Sequence, residues 1–118
     1  MTSTANQPIR MEVSGEIEVV NEIESQLSVL KVSEASLLTF IGSFDECCIT
    51  TMNPDNPKES IYLEYSVPVE MSGIGEVRDG KLHVHCTLGF PDGETKFGHL
   101  QWAYSKSWFT RLTLLPIN

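Results

Sequence analysis

The stretch Lys81-Leu-His-Val-His-Cys-Thr-Leu-Gly-Phe90-Pro-Asp-Gly-Glu-Thr-Lys-Phe-Gly-His-Leu100 decides the architecture. Residues two apart on a strand share a face, so Leu82, Val84, Cys86 and Leu88 point one way and His83, His85 and Thr87 the other. Phe90-Pro-Asp-Gly93 carries the residues of a turn. Beyond it, Leu100, Trp102 and Tyr104 form an apolar set, with His99, Gln101 and Ala103 opposite. The two apolar sets belong in one core, and that leaves all three histidines of the chain on the other side. A turn centred on Asp92 puts His85 opposite His99 and His83 on the diagonal. Slipping the pairing by one residue would send His99 inward.

Working outward, further strands are expected on both sides of this hairpin. Ile9, Met11 and Val13 alternate with polar residues. Ala35 to Ile41 is an apolar run ending at Gly42, and Glu46 to Met52 is rich in β-branched residues and cysteine. Asn53-Pro-Asp-Asn-Pro57 is a turn. Ile61, Leu63 and Tyr65 alternate, and a strand from about Val67 to Val77 leads into the tight turn Arg78-Asp79-Gly80. Phe97 to Tyr104 and Trp108 to Leu115 finish the chain. One helix is expected: Ser14-Gly15-Glu16 supplies a cap and first-turn acid. Val19, Val20, Ile23, Leu27 and Leu30 then recur at helical spacing over about four turns. The expectation is an α+β domain, a mainly antiparallel sheet with one amphipathic helix packed on it. Residues 1–8 read as a tail and 9–118 as a single domain.

Composition narrows the function. The 118 residues are 41% hydrophobic and 20% charged, as in an ordinary globular protein, and no run is long enough for a membrane-spanning helix. The N-terminus has no secretory pattern, so a cytoplasmic location is expected. Sixteen acidic residues oppose eight basic ones, a net charge of −8, and no two basic residues adjoin. Binding to a phosphate backbone relies on such basic residues, so direct nucleic-acid binding is not expected. Three cysteines, Cys47, Cys48 and Cys86, read as reduced and partly buried.

Three imidazoles on one face point to a metal, zinc above other first-row divalent ions. Three protein ligands with a fourth position open would let the ion activate water or polarise a carbonyl. In that reading His83, His85 and His99 hold the ion and a small-molecule ligand meets it there. Glu64 or Glu70, in the same chain or across a subunit boundary, supplies the catalytic carboxylate. The alternative is a regulatory or scaffolding interaction module without catalysis. Trp102 and Tyr104 are assigned to the core rather than to such an interface.

Several motifs resemble one known family. Gly15-Glu16, Phe40-Ile-Gly-Ser-Phe44, Ser72-Gly73, Asp79-Gly80, Leu82-His-Val-His85, Leu88-Gly89, Asp92-Gly93 and Gly98-His-Leu100 are similar to the PPC (plants and prokaryotes conserved) family, the domain found beside AT-hooks in plant nuclear proteins and alone in prokaryotes. The resemblance implies an α+β homotrimer, with histidines matching His83, His85 and His99 that are associated with a metal in prokaryotic members. It also brings a DNA-binding label derived from the AT-hooks, and this chain has no Arg-Gly-Arg-Pro hook. Phe97 stands where the family commonly has a second glycine, and Arg111 where an acid is frequent. Both departures imply a remodelled pocket.

Overall fold

The computed structural model describes residues 7–117. Most of the tail expected over residues 1–8 lies outside them. The elements are β1 (Ile9–Ser14), β2 (Ile17–Glu18), α1 (Val19–Leu30), β3 (Glu34–Phe44), β4 (Glu46–Met52), β5 (Ser60–Tyr65), β6 (Val69–Arg78), β7 (Lys81–Gly89), β8 (Thr95–Ser105) and β9 (Phe109–Pro116). The strands form one antiparallel sheet in the order β1-β9-β3-β6-β7-β8-β4-β5, with β2 pairing beside β8. The architecture is thus sheet-dominated, with one helix laid across β7 and β8.

The sheet buries one face. Phe40, Phe44, Leu37, Leu88, Leu112 and Leu114 are fully enclosed with Val19, Ile23 and Leu27 of α1. Each such side chain removed from water is worth roughly 1.5–3 kcal/mol, so the helix is held by its apolar stripe rather than by intrinsic propensity. The turn between β6 and β7 has the expected form: Asp79 and Gly80 both take positive φ, 51° and 74°, in a two-residue connection between Arg78 and Lys81.

Three expectations are corrected. The helix begins at Val19 rather than at the Ser14-Gly15-Glu16 start, because Ile17 and Glu18 first pair with Ser105 and Tyr104 of β8. Glu18 is the N-cap, its carboxylate accepting from the N–H groups of Asn21 at 2.7 Å and Val20 at 3.1 Å. β3 does not stop at Gly42 but runs on to Phe44. Glycine is required there by a neighbour: a Cβ would lie 2.6 Å from Thr110 Oγ1. Finally, Trp102 and Tyr104 do not enter the core. Cys48 pairs with Trp102 but Ile49 with Leu100, so Gln101 is an extra residue in β8. Such a bulge reverses the alternation. Ala103 and Ser105 turn inward, Trp102 is half-buried and Tyr104 exposed.

Candidate functional site

The opposite face of the sheet is exposed in the single chain, and it carries the histidines. His83 and His85 alternate with the buried Leu82, Val84 and Cys86 on β7. His99 lies between the buried Gly98 and Leu100 on β8. The register sets His85 directly opposite His99, as the turn at Asp92 requires. Thr50, His99, His85 and Ile74 stand abreast on β4, β8, β7 and β6. The imidazoles of His85 and His99 touch edge to face, with centroids 4.5 Å apart and planes at 89°.

Beyond this pair the two strands part. The β7–β8 ladder ends at His85 and His99, and β8 swings towards β4 and α1. Backbone N–H groups released by the separation are met by helix carboxylates. Glu24 Oε2 accepts from Leu82 at 2.9 Å, and Glu18 Oε2 accepts from Ala103 at 2.8 Å. The gap is a cavity of about 590 Å³ lined by all three histidines together with Glu76, Tyr62 and Gln101. Gln101, the bulge residue, reaches into it and donates to Thr50 Oγ1 at 3.2 Å.

Whether these groups suit a metal can be judged from their placement. His85 and His99 are in contact, and His83 shares their face and cavity. As the side chains stand, however, no three His, Cys, Asp or Glu groups among the described residues converge on one ion position. The pair is assembled and His83 stands apart from it, short of the diagonal contact expected from the sequence. All three side chains are exposed, so a change of staggered rotamer meets little steric resistance. Imidazoles are donors that suit a divalent ion, but as the side chains stand they do not form a site for one.

The two carboxylates singled out from the sequence lie elsewhere. Glu64 is exposed on the edge strand β5, opposite Cys48, and does not line the histidine cavity. Glu70 lies opposite Gly89 and Ser43, four residues along β6 from Ile74, or about 13 Å at the usual strand rise. Glu76, which sequence reasoning passed over, faces His83 directly. Its signal was present: Asp79-Gly80 is the hairpin turn, and counting back from it pairs Glu76 with His83. The cysteines are no part of the site. Burial pushes the Cys47 thiol up to about 12 and that of Cys86 to about 11, and both point into the core. A thiol so raised is not a nucleophile near neutral pH.

Next to the histidines the face becomes apolar. Ile74 is 63% exposed, Phe97 61%, Ile41 47% and Leu38 45%, and these four line a groove of about 1000 Å³ that reaches His85. Phe97, the first departure from the family pattern, therefore belongs to this groove. Arg111, the second, is remote from the histidines, pairing with Glu12 and lying 4.2 Å over the ring of Phe109.

Comparison with known proteins fits this geometry. The family model described as the Plants and Prokaryotes Conserved (PCC) domain matches residues 2–111. Solved structures with the same fold include a plant- and prokaryote-conserved protein from Pyrococcus horikoshii, at 20% identity and a TM-score of 0.80, covering 100% of this chain and 86% of that one. A metal-containing protein from Archaeoglobus fulgidus aligns at 22% identity and TM-score 0.75, over 95% of this chain and 80% of that one. A Bacteroides thetaiotaomicron protein, provisionally described as DNA-binding, aligns at 18% identity and TM-score 0.80, over 99% and 82%. No curated protein matches the chain.

Proposed function

The chain belongs to the Plants and Prokaryotes Conserved domain family, and on that footing we propose that it is a non-catalytic interaction module that assembles with copies of itself, as a homotrimer, through the open face of its sheet. The observation that carries this reading is the run of Leu38, Ile41, Ile74 and Phe97 across β3, β6 and β8. Large apolar side chains grouped on one face mark interaction surfaces, whereas single ones scattered over a surface do not. Neither Glu64 nor Glu70 lines the histidine cavity, and that weighs against the two carboxylates as a catalytic pair with the histidines.

The Bacteroides relative's description raises DNA as a partner. A net charge of −8 argues against direct binding here, because affinity for a phosphate backbone comes largely from Lys and Arg displacing its counterions. Light scattering coupled to size-exclusion chromatography tests self-assembly. Wild-type protein should run as a trimer, and Phe97→Glu or Ile74→Glu as a folded monomer. A monomeric wild type at tens of micromolar would end this reading.

The contact between His85 and His99 favours a second reading of the same surface, a site for a divalent ion, zinc first, with His83 as third ligand. The Archaeoglobus relative is described as metal-containing, and three neutral imidazoles suit such an ion. Elemental analysis of purified protein should find zinc near one equivalent per chain, and His85→Ala should abolish it. Metal-free wild type with an unchanged fold would remove this second reading and leave the first standing.

A further inference from the structure

We propose that the pocket between the β7–β8 turn and the β8–β9 loop is a docking site for an arginine side chain of a basic partner protein, its guanidinium stacked on Trp108 and paired with Glu70. The pocket shares no lining residue with the apolar groove or the histidine cavity, so this goes beyond both readings above.

The walls are in place without a ligand. The space is about 420 Å³, bounded by Trp108, Phe90, Pro68 and Pro91 with Glu70 beside them. Asp45, between β3 and β4, clamps the β8–β9 loop: its Oδ2 accepts from the Lys106 N–H at 2.8 Å and its Oδ1 from the Trp108 indole N–H at 3.2 Å. Ser105 Oγ donates to the Trp108 carbonyl at 3.0 Å. Phe90 is held by Tyr65, with ring centroids 4.9 Å apart at 68°. Rings fixed in advance lose little freedom when a side chain docks against them.

The chemistry of the walls selects a cation. Trp108 is 41% exposed with its N–H already used, so what it offers a ligand is its π surface. Donation to a carboxylate makes that surface more electron-rich, and indole is the best aromatic platform for a cation. Glu70 is exposed and has no ion-pair partner among the described residues. No Lys or Arg lines the pocket, and the two prolines bring no N–H to compete for the carboxylate. The nearby Arg111 is occupied, paired with Glu12 and stacked over Phe109 at 4.2 Å.

A guanidinium satisfies both features together. Its flat face stacks on the indole while its N–H fork pairs with a carboxylate, whereas an ammonium is a point charge that stacks poorly. Charge names the kind of partner. At −8, two copies of this chain repel, while a basic protein is drawn in and oriented by the opposite sign.

NMR of isotope-labelled protein titrated with N-acetyl-arginine amide tests the site, because the two tryptophans, Trp102 and Trp108, give separate indole N–H signals. The Trp108 signal and the amides of Glu70 and Phe90 should shift saturably while the Trp102 indole stays in place. The citrulline analogue, alike in shape but uncharged, should move none of them. Trp108→Leu, followed through the Glu70 and Phe90 amides, should lower the affinity about fivefold, and Glu70→Gln by about as much. Glu64→Gln removes the same charge from β5 and should match wild type. Phe97→Glu, expected to be monomeric, should bind at least as tightly as wild type, so failure of self-assembly and failure of this site are read separately. Equal shifts with citrulline, equal weakening by Glu64→Gln, or no response from wild type or Phe97→Glu would each overturn the proposal. A Trp108 signal that moves when the protein alone is diluted would assign the pocket to a second copy and overturn it as well.

Discussion

Glu18 accepts the backbone N–H of Ala103 at 2.8 Å with the same carboxylate that caps α1. One side chain thus starts the helix and seals the sheet where β8 leaves β7. Replacing it with alanine removes the cap and orphans a buried donor on a strand whose Ala103 is fully enclosed. Loss of a cap costs about 1 kcal/mol and an unmet buried N–H about 1–3 kcal/mol. Glu18→Ala should therefore lower stability by about 2–4 kcal/mol in urea unfolding. Glu22→Ala, whose side chain only meets Gln26 on the same helix, should cost far less.

Alkaline pH should destabilise the protein through its thiols. Cys47 is raised from 9.0 to about 12 and Cys86 from 9.0 to about 11, both chiefly by burial. A group whose folded pKa lies above its unfolded value contributes stability that is complete below the unfolded pKa and lost as pH climbs towards the folded one. Stability should be level up to about pH 9 and fall from there to pH 11–12. The double variant Cys47→Ala/Cys86→Ala should start lower, because of the cavities it creates, but show a flatter fall. Equal slopes for the two proteins would contradict this account.

The hairpin could be read from the sequence because two independent signals agree on it. Alternation fixes which face each residue takes, and the Asp92 turn fixes the register, so the pairing of His85 with His99 needed nothing from the rest of the fold. The same rule failed three residues later. The bulge at Gln101 turned Trp102 and Tyr104 outward and brought Ala103 in. No local residue marks that bulge; it arises where β8 must serve β4 on one side while leaving β7 on the other. The helix start misled for a related reason. Ser14 is a good cap by composition, but Ile17 and Glu18 gain a strand partner in β8, a contact 85 positions away that no window of sequence contains. Glu64 and Glu70 were chosen for being acidic and near the right strands, and only the strand order shows that neither shares the histidine cavity.

Close approach of β6 and β7 makes Gly75 irreplaceable. A Cβ there would stand 1.9 Å from the backbone oxygen of His83, and a backbone atom cannot step aside as a side chain does. Gly75→Ala should force the strands apart and cost about 3 kcal/mol, the upper end of overpacking penalties. Gly89→Ala is the control on the neighbouring strand, since its nearest contact would be 3.9 Å away, and it should change stability by no more than about 0.5 kcal/mol. Denaturant midpoints for the two variants provide the comparison. Because His83 moves with its carbonyl, Gly75→Ala should also weaken any metal binding.

On the metal-binding reading, removing the ion should leave the fold in place. The enclosed side chains, from Phe40 and Leu88 to Ile23 of the helix, all lie on the face away from the histidines, and none of them depends on an ion. Treatment with a chelator should therefore leave the far-ultraviolet circular dichroism unaltered, unlike small zinc domains that unfold without their metal. Stability should nevertheless respond, because a ligand that binds only the folded state adds about 2.7 kcal/mol at a hundredfold excess over its dissociation constant. Zinc should raise the melting temperature of wild type, and the increase should vanish in His99→Ala. His99 is exposed, so the variant itself should melt close to metal-free wild type. An equal zinc-dependent shift in both proteins would place the ion somewhere other than the paired imidazoles.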